Sequence, residues 1–508
     1  MSRRDGPQHY RVPLWGPQKC APLFISREGD WLAIAAACVG EIRPGSGSDN
    51  NGGFFKAGAT GTDRSQQAAA HANLTTLSVV NATTTIITVS LTDYTVIAAD
   101  VGNVYNNTGG SSTAGLYEIT AVDTVLNLWT LDRSIGTAGQ TCTGAMGGAL
   151  ASVAKAAGAM VAGNKIFATG SETRTATTTL SVSSTPSNSA MASQLIGYTS
   201  ARGDGGQYTI TLATNSSLTG LSVTGNGWWI DNVTVDCASL TSSTGISLGG
   251  AFSRLWRCKA ANFKTVGLSA GNVADEFVEC EVTGGLSGAT AGINATPTTV
   301  VIDSCNIHDN VCPGIIVAHY NTIINNLITN NTGASSDGIQ CTYHNVIQNN
   351  TIHGNGRHGI SNTGTFAINH NWRKNSISGS GGYGIVGASS SGMPADPLFD
   401  GNAFGYPANT SGTRNNMDST SGVNATNPYT NSRDVSVTVG SQYVDAASND
   451  WDLNATASQG ALLRGTAKPN TWLGNSVTQG ADDFGAVQHA DPTPPVGKIN
   501  LVASIGTY

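Results

Sequence analysis

The hydrophobic pattern in the middle of the chain is a series of short apolar alternations. Segments such as "VVID", "GIIVAHY", "NTIINNLI" and "NVIQNNTI" alternate over only a few residues and are separated by Gly, Asn, Asp and Ser. Alternation of this length with turn residues at both ends predicts β-strands and does not fit a 3.6-residue helical period. The region from Asp236 to Ile385 is therefore predicted to consist of many short strands.

Two columns of residues recur through this region about every 23 residues. A period of this length is typical of a solenoid. The first column is a Cys or Asn, at Cys237, Cys258, Cys280, Cys305, Asn326, Asn350 and Asn375. The second column is a Gly before Ile or Leu, with the apolar members Ile246, Leu268, Ile293, Ile315, Ile339, Ile360 and Ile385.

A rung of this size with two or three short strands and no helix predicts a parallel β-helix, in which each strand pairs with its equivalents about 4.8 Å away. We expect Asn to form a left-handed corner and an amide ladder, and Gly to form a second corner. If the Ile column faces inward, the next residue faces outward. The predicted outward column is Ser247, Ser269, Asn294, Ile316, Gln340, Ser361 and Val386.

The flanking sequence divides the chain further. An irregular, Pro-containing leader precedes several strand-like runs, and an Ala-rich amphipathic segment at 149–161 predicts a short helix that caps the first rung. Its apolar face is Leu150, Val153, Ala156 or Ala157, and Met160. The predicted domains are an attachment arm (1–64), a small β module (65–148), the β-helix with its capping helix (149–405) and a closing β segment and tail (406–508).

Composition narrows the function classes. Only 11% of the residues are charged and the net charge is −7, so there is no basic footprint for nucleic acid. The apolar run at 31–40 is too short to span a membrane and is not placed as a signal peptide, so the protein is expected to be made in the cytoplasm without membrane insertion. The nine cysteines show no metal-ligand spacing, and no metal or cofactor is predicted.

The rungs "NTIINNLITNNTG" and "NVIQNNTIHGNG" resemble the right-handed parallel β-helix repeats of the pectate-lyase-like superfamily, over roughly 165–405. The flanks at 48–66 and 99–122, and "DLNATASQGALLRG", resemble those of bacteriophage virion proteins of that type. The resemblance implies a homotrimeric, exposed virion protein such as a tail fibre, tailspike or head-decoration protein. Such a protein would attach to other virion proteins through its N-terminal region and meet host surface polysaccharide.

The competing function is catalysis, because β-helices also serve polysaccharide lyases and glycoside hydrolases. These need clustered carboxylates, with a basic residue in a lyase. The predicted outward column contains no Asp or Glu, which favours a structural role. "GRHGI" at 356–360 resembles a Gly-His-Gly element of polygalacturonase-like hydrolases, but the Asp motifs that accompany it there are missing. The catalytic candidates are Asp303, Asp309, Asp337, His308, His353 and Arg357, with His319, His344 and His358 nearby.

Overall fold

A computed structural model gives the fold of the protein. It describes residues 38–67, 71–81, 86–88, 94–183, 192–213, 217–364, 371–373, 375–382, 384–387, 398–400, 403–405, 433–435, 443–448 and 450–456. The predicted leader as far as residue 37 lies outside the described residues, as does most of the chain after residue 405.

From Lys165 to Gly405 the described strands follow one another through three sheets in a constant order. Sheet I runs β2 (Phe54–Lys56), β1 (Cys38–Ile42), β9 (Lys165–Thr169), β12 (Ser193–Tyr198), β15 (Trp228–Asp231), β18 (Arg254–Trp256), β21 (Glu276–Val278), β24 (Val301–Asp303), β27 (Thr322–Ile324), β30 (Val346–Gln348), β33 (Asn371–Arg373) and β36 (Leu398–Asp400). Sheet II runs β10 (Ser171–Arg174), β13 (Tyr208–Leu212), β16 (Val233–Asp236), β19 (Lys259–Ala261), β22 (Glu281–Thr283), β25 (Asn306–His308), β28 (Leu327–Thr329), β31 (Thr351–His353), β34 (Ser376–Ser378), β37 (Ala403–Gly405) and β38 (Arg433–Val435). Sheet III runs β11 (Thr178–Leu180), β14 (Leu218–Val223), β17 (Ser243–Leu248), β20 (Val266–Ala270), β23 (Ala291–Ala295), β26 (Ile315–Val317), β29 (Ile339–Cys341), β32 (Ile360–Asn362) and β35 (Ile385–Gly387).

The core is the interior of this coil, where inward apolar side chains stack on their equivalents in the next rung; in β10 the inward residue is the buried Glu172, which pairs with Ile210. The predicted Ile column of sheet III pairs in register from Ile246 to Ile385 and is fully buried. Each such side chain contributes about 1.5–3 kcal/mol on burial. The predicted outward column also stacks in register, from Ser247 to Val386. The prediction of an all-β protein built around a parallel β-helix is confirmed.

The glycine column has a different cause from the one predicted. These glycines do not have a left-handed backbone; they lie where successive rungs approach most closely. A Cβ at Gly338 would be 2.6 Å from the carbonyl oxygen of Gly359 and 2.7 Å from Ile352 Cγ2. A side chain cannot be accommodated there without moving the backbone of the next rung.

The Cys/Asn column needs two corrections. Strand register places Val233 below Cys258, so Cys237 is buried at a later corner and does not belong to the column. The left-handed residue is also one position earlier than predicted, at Asn325 and not Asn326.

Within the column, Cys and Asn make the same bond. Cys305 Sγ lies 3.4 Å from the carbonyl oxygen of Phe277, and Asn326 Nδ2 donates to the equivalent oxygen of Ile302 at 3.0 Å. The predicted amide ladder is present, because Asn326 Nδ2 donates to Asn350 Oδ1 at 3.0 Å and Asn350 Nδ2 to Asn375 Oδ1 at 2.9 Å. Among the described cysteines all are free, and burial raises the pKa of the Cys258 and Cys305 thiols.

The predicted small β module forms a closed antiparallel barrel. Its interior packs Trp129 against Tyr94 and Tyr105, and the buried Asp100 accepts hydrogen bonds from Tyr94 Oη at 2.6 Å and Trp129 Nε1 at 3.1 Å. The barrel strands, in order, are β3 (His71–Asn81), β4 (Ile86–Thr88), β7 (Leu128–Leu131), β6 (Gly115–Asp123), β5 (Val104–Gly110) and β8 (Thr141–Met146).

The predicted capping helix is α1 (Val153–Ala159), and it packs on β11 and β1 at the start of the coil. Ser152 is its N-cap, with Oγ accepting from the Lys155 N–H at 3.2 Å. The predicted apolar face is buried, including Leu150 and Met160. The helix therefore covers the apolar interior of the first rungs.

The N-terminal region differs from the predicted arm. Strand β1 pairs in parallel with β9 and so extends sheet I beyond the first rung. Its buried Glu41 accepts from Arg202 Nε at 2.9 Å and from Arg43 Nε at 3.0 Å, and it also bonds the Tyr198 hydroxyl. Residues 38–56 therefore extend the solenoid end, whereas the N–H groups of Thr62 and Arg64 donate to Ala99 O and Asn103 Oδ1 beside the barrel. The pattern was missed because "CVGEI" places a charge in the strand, and its partner Arg202 is 161 residues away in the chain.

The described part of the C-terminal segment comprises β38, which pairs with β37 in sheet II, and a hairpin of β39 (Tyr443–Asp445) and β40 (Asp450–Leu453). Tyr443 is buried on the outward face of sheet II, with its hydroxyl 3.2 Å from Ser376 Oγ and its ring edge-on to His353. The hairpin therefore packs on the side of the coil.

Candidate ligand-binding corner

Each turn of the coil has three corners, and at every corner one residue has a left-handed backbone. Between sheets I and II these residues are Asn232, Arg257, Glu279, Ser304, Asn325 and Asn349, which we call the ladder corner. Between sheets II and III they include Asn262, Gly284, Asp309, Asn330 and Gly354. Between sheets III and I they are Phe252, Ala274, Thr299, Tyr320 and His344, which together with His319 and Tyr343 we call the aromatic corner.

The aromatic corner carries four rings on two neighbouring rungs. His319 stacks on Tyr343 with ring centroids 4.8 Å apart and planes 10° apart. Tyr320 stacks on His344 with ring centroids 4.7 Å apart and ring planes 6° apart. Within each rung the two rings meet edge to face. The result is a checkerboard of two phenol and two imidazole rings at the surface, with Tyr320 53% exposed.

The backbone beneath these rings is strained. Tyr320 has φ 60° and Phe252 has φ 59°, a region that bulky L-residues rarely adopt and that costs on the order of 1–3 kcal/mol. The other two corners place Asn or Gly at many of the equivalent positions, which tolerate this region well. An exposed ring held at a strained position points to a role outside folding stability.

The earlier catalytic candidates do not form one site. Asp337 and Arg357 lie together at the corner before sheet III, where Arg357 Nε donates to Asp337 Oδ1 at 2.7 Å. Asp337 is fully buried and also accepts from the His358 N–H at 3.0 Å and from Gln340 Nε2 at 3.0 Å. Its oxygens are committed to holding two rungs together.

His308 and Asp309 lie on sheet II and the corner after it. His308 Nδ1 is 2.8 Å from Asp309 Oδ2, and its Nε2 is 3.4 Å from Glu281 Oε1. Glu281 also accepts from Lys259 Nζ at 2.8 Å. The hydrogen bond to His308, with Lys259, lowers the pKa of Glu281 to about 2, and the same contact raises the pKa of His308.

The two remaining candidates are separate again. His353 occupies the same column as His308 but two rungs away, with Thr329 between them, so the two histidines are not neighbours. Burial lowers the His353 pKa to about 4, and its Nδ1 is 2.8 Å from Ser378 Oγ. Asp303 ends a strand of sheet I and accepts from Ser304 Oγ and Asn325 Nδ2 at 2.9 Å each.

Two further properties concern metals and membranes. In the part of the chain that the structure describes, no group of three or more His, Cys, Asp or Glu side chains could hold a metal ion. No helix among these residues is long and apolar enough to cross a membrane.

In the sequence, His319 and His344 stood out only as histidines near the catalytic candidates, and Tyr320 and Tyr343 were not predicted to be functional. The available signal was "HY" at 319–320 and "YH" at 343–344, one rung period apart. Spacing places these pairs on the same corner, but only the register of the strands brings them into stacking contact.

Comparison with known proteins supports the architecture. Residues 244–404 match the family model described as a right handed beta helix region. A search of curated proteins finds no match. Among solved structures, pectate lyase Pel9A is 14% identical over 67% of this chain and 92% of its own, with a TM-score of 0.40.

Two phage proteins match with similar sequence identity and TM-score. ORF18 of Geobacillus virus E2 is 12% identical over 53% of this chain and 52% of its own, with a TM-score of 0.33. The Dettilon tailspike protein gp208 is 14% identical over 48% and 55%, with a TM-score of 0.29. The activities and hosts in these names belong to those proteins. For this chain, the family match and the strand register together establish that the repeat region is a right-handed parallel β-helix.

Proposed function

We propose that the protein is a structural component of a bacteriophage virion whose β-helix presents the aromatic corner to glycans on the host surface. The observation that carries this proposal is the four-ring patch of exposed Tyr320 with half-buried His319, Tyr343 and His344, in which Tyr320 and His344 have a left-handed backbone. Aromatic rings at a surface supply large contact area with little conformational entropy to lose, which suits recognition.

The scaffold has the properties that presentation requires. Its interior is a continuous apolar column, and buried amide ladders satisfy polar groups at its corners. Residues held by such stacking keep a fixed geometry on the next rung, so the rings are preorganised before any ligand arrives.

The assignment to a virion rests on the resemblance of the flanking sequences to phage virion proteins. Attachment to the particle is assigned to the segment before Cys38, because β1 and everything after it that the structure describes serve the fold itself. Deletion of 1–37 should leave a folded protein with unchanged circular dichroism and Tm that no longer enters particles. Incorporation of this variant at normal copy number would place the attachment elsewhere.

Glycan binding is tested on the full-length protein with an array of purified bacterial capsular polysaccharides and lipopolysaccharides. We expect binding that falls at least tenfold in a Tyr320→Ala/Tyr343→Ala double variant. Val311→Ala is the matched control, because Val311 is 42% exposed on a different corner. Equal loss in the control, or no loss in the double variant, would remove the aromatic corner from the function.

A second candidate function is cleavage of the glycan, and one observation favours it. Glu281, His308 and Asp309 form a carboxylate–imidazole–carboxylate cluster on an outward face. It ranks second because Glu281 with a pKa of about 2 cannot donate a proton at neutral pH. Release of reducing ends or unsaturated products from the bound polysaccharides, abolished by Glu281→Gln, would reverse this ranking.

A further inference from the structure

Among the residues that the structure describes, the strand positions beside the four rings on their own two rungs carry no carboxylate, ammonium or guanidinium group. On the sheet III side the nearest outward residues are Asn294, Ile316 and Gln340, which stack in register. On the sheet I side they are Val301, Thr322 and Val346, also in register. Asp303 lies at the far edge of sheet I, and Arg357 lies before the far edge of sheet III.

This lack of charge discriminates between classes of polysaccharide. A carboxylate or sulfate brought against such a surface would lose hydration without meeting a cationic partner, which is unfavourable. An uncharged pyranose has apolar C–H groups that can pack against the exposed edges of the stacked rings, and hydroxyl groups that can hydrogen-bond beside them. The electrostatics of the patch therefore select against acidic chains.

The ring side chains also have open hydrogen-bonding capacity. None of the four side chains makes a hydrogen bond to a residue that the structure describes; they contact one another through their rings. Phenol hydroxyl and imidazole nitrogen can each donate or accept. Gln340, Asn294 and Thr322 beside them add amide and hydroxyl groups. Sugar hydroxyls therefore find uncharged partners on both sides of the rings.

The repeat along the corner has the scale of a polysaccharide. The stacked rings lie 4.8 and 4.7 Å apart from rung to rung, which matches the strand spacing of about 4.8 Å in a parallel sheet. That step is close to the length of one pyranose unit in an extended chain. A linear glycan lying parallel to the solenoid axis would place two successive sugars against the rings of the two neighbouring rungs.

From these observations, and resting on the proposed function, we infer that the aromatic corner binds a linear, uncharged polysaccharide that runs along the solenoid axis. Phe252 belongs to the same left-handed column and is 49% exposed. It lies three rungs before Tyr320, with the small residues Ala274 and Thr299 between them. The rungs beside Phe252 carry Arg254 and Glu276 on the outward face of sheet I, so the uncharged surface is limited to the rungs near the four rings.

The test uses the full-length protein and two sets of linear polysaccharides at one ionic strength. The neutral probes are a β-glucan, a mannan and a galactan; the acidic probes are polygalacturonate, alginate and hyaluronate. We expect at least one neutral probe to bind at least tenfold more tightly than every acidic probe. Tyr320→Asn should weaken that binding at least tenfold without lowering Tm, because Asn suits the left-handed backbone.

Each outcome has a distinct meaning. Tighter binding of an acidic probe that still depends on Tyr320 would overturn this inference and leave the proposed function standing. Neutral binding that Tyr320→Asn and Tyr343→Ala leave unchanged would overturn the inferred site. If no polysaccharide binds and the same variants change the sedimentation coefficient, the corner is a contact between copies, and both the inference and the glycan part of the proposed function fail.

Discussion

The ladder corner and the aromatic corner flank the same strands of sheet I, yet they use one backbone geometry for opposite purposes. At both corners a left-handed residue is followed by a buried position, where Asn326 and Asn350 stand at one corner and Asn321 and Asn345 at the other. At both corners the buried Asn side chain accepts a hydrogen bond from the backbone N–H of the equivalent Asn in the preceding rung: Asn345 Oδ1 from Asn321, and Asn350 Oδ1 from Asn326. The difference lies in the left-handed residue itself.

At the ladder corner that residue also serves the fold. Asn325 receives a hydrogen bond from Asn349 Nδ2 at 2.8 Å and donates to Asp303 at 2.9 Å. At the aromatic corner the Tyr320 side chain makes ring contacts with His319 and His344, and 53% of the residue's surface is exposed. The comparison teaches that the repeat geometry is supplied by the buried position, so the left-handed residue is free to carry a different function.

The largest expected effect follows from removing one member of the amide ladder. Asn350→Ala would take away the acceptor of the Asn326 N–H and side chain and the donor to the Ile323 oxygen. Buried groups left without partners cost about 1–3 kcal/mol each, so the free energy of unfolding should fall by roughly 2–5 kcal/mol. Chemical denaturation measures this change, and a loss below that of Tyr320→Ala would contradict the distinction between the corners.

An intermediate effect concerns Asp275, which is buried directly behind the aromatic corner. Its Oδ1 accepts from the Ser253 N–H at 3.0 Å, its Oδ2 makes no hydrogen bond with good geometry to any described residue, and burial raises its pKa to about 7. Because the folded protein holds this proton more tightly than the unfolded chain, the stability it supports is greatest at low pH. That stability falls as pH rises from about 4 to 7.

Asp275→Asn should remove this loss, because the equivalent Asn321 is tolerated with its own Nδ2 unpartnered. The variant should be more stable than the natural protein at pH 8, by an amount on the order of a few kcal/mol since each pKa unit corresponds to about 1.4 kcal/mol. The two proteins should converge near pH 4. Thermal unfolding across this range gives the answer, and a gap independent of pH would show that Asp275 does not titrate there.

The smallest effects come from exchanging residues between the corners. Tyr320→Asn should raise the free energy of unfolding by up to about 1 kcal/mol, since relief of backbone strain exceeds the loss of the two ring contacts with His319 and His344. Asn325→Tyr should lower it by about 1–3 kcal/mol, because it introduces strain and removes two hydrogen bonds. Opposite signs for this reciprocal pair would sharpen the comparison; destabilisation by both would show that Tyr320 is a structural residue.

The sequence by itself determined the architecture of the repeat region. The Ile column and the outward Ser247-to-Val386 column could be predicted because strand alternation and a fixed period leave one register that buries every Ile. The helix face at Leu150, Val153 and Met160 could be predicted for a similar local reason. These features depend on neighbours in sequence or on a constant offset, both of which are visible along the chain.

Only the tertiary structure decided the rest, because the relevant contacts join residues at irregular separations. Cys237 was misassigned because one rung differs in length, which strand pairing reveals and spacing conceals. The position of strand β1 depends on the hydrogen bond from Arg202 to Glu41, which are far apart in the chain. The position of the C-terminal hairpin likewise depends on the contact of the Tyr443 ring with His353. The aromatic corner likewise required the third dimension, since a ring becomes part of a surface only when folding sets its neighbour on the next rung beside it.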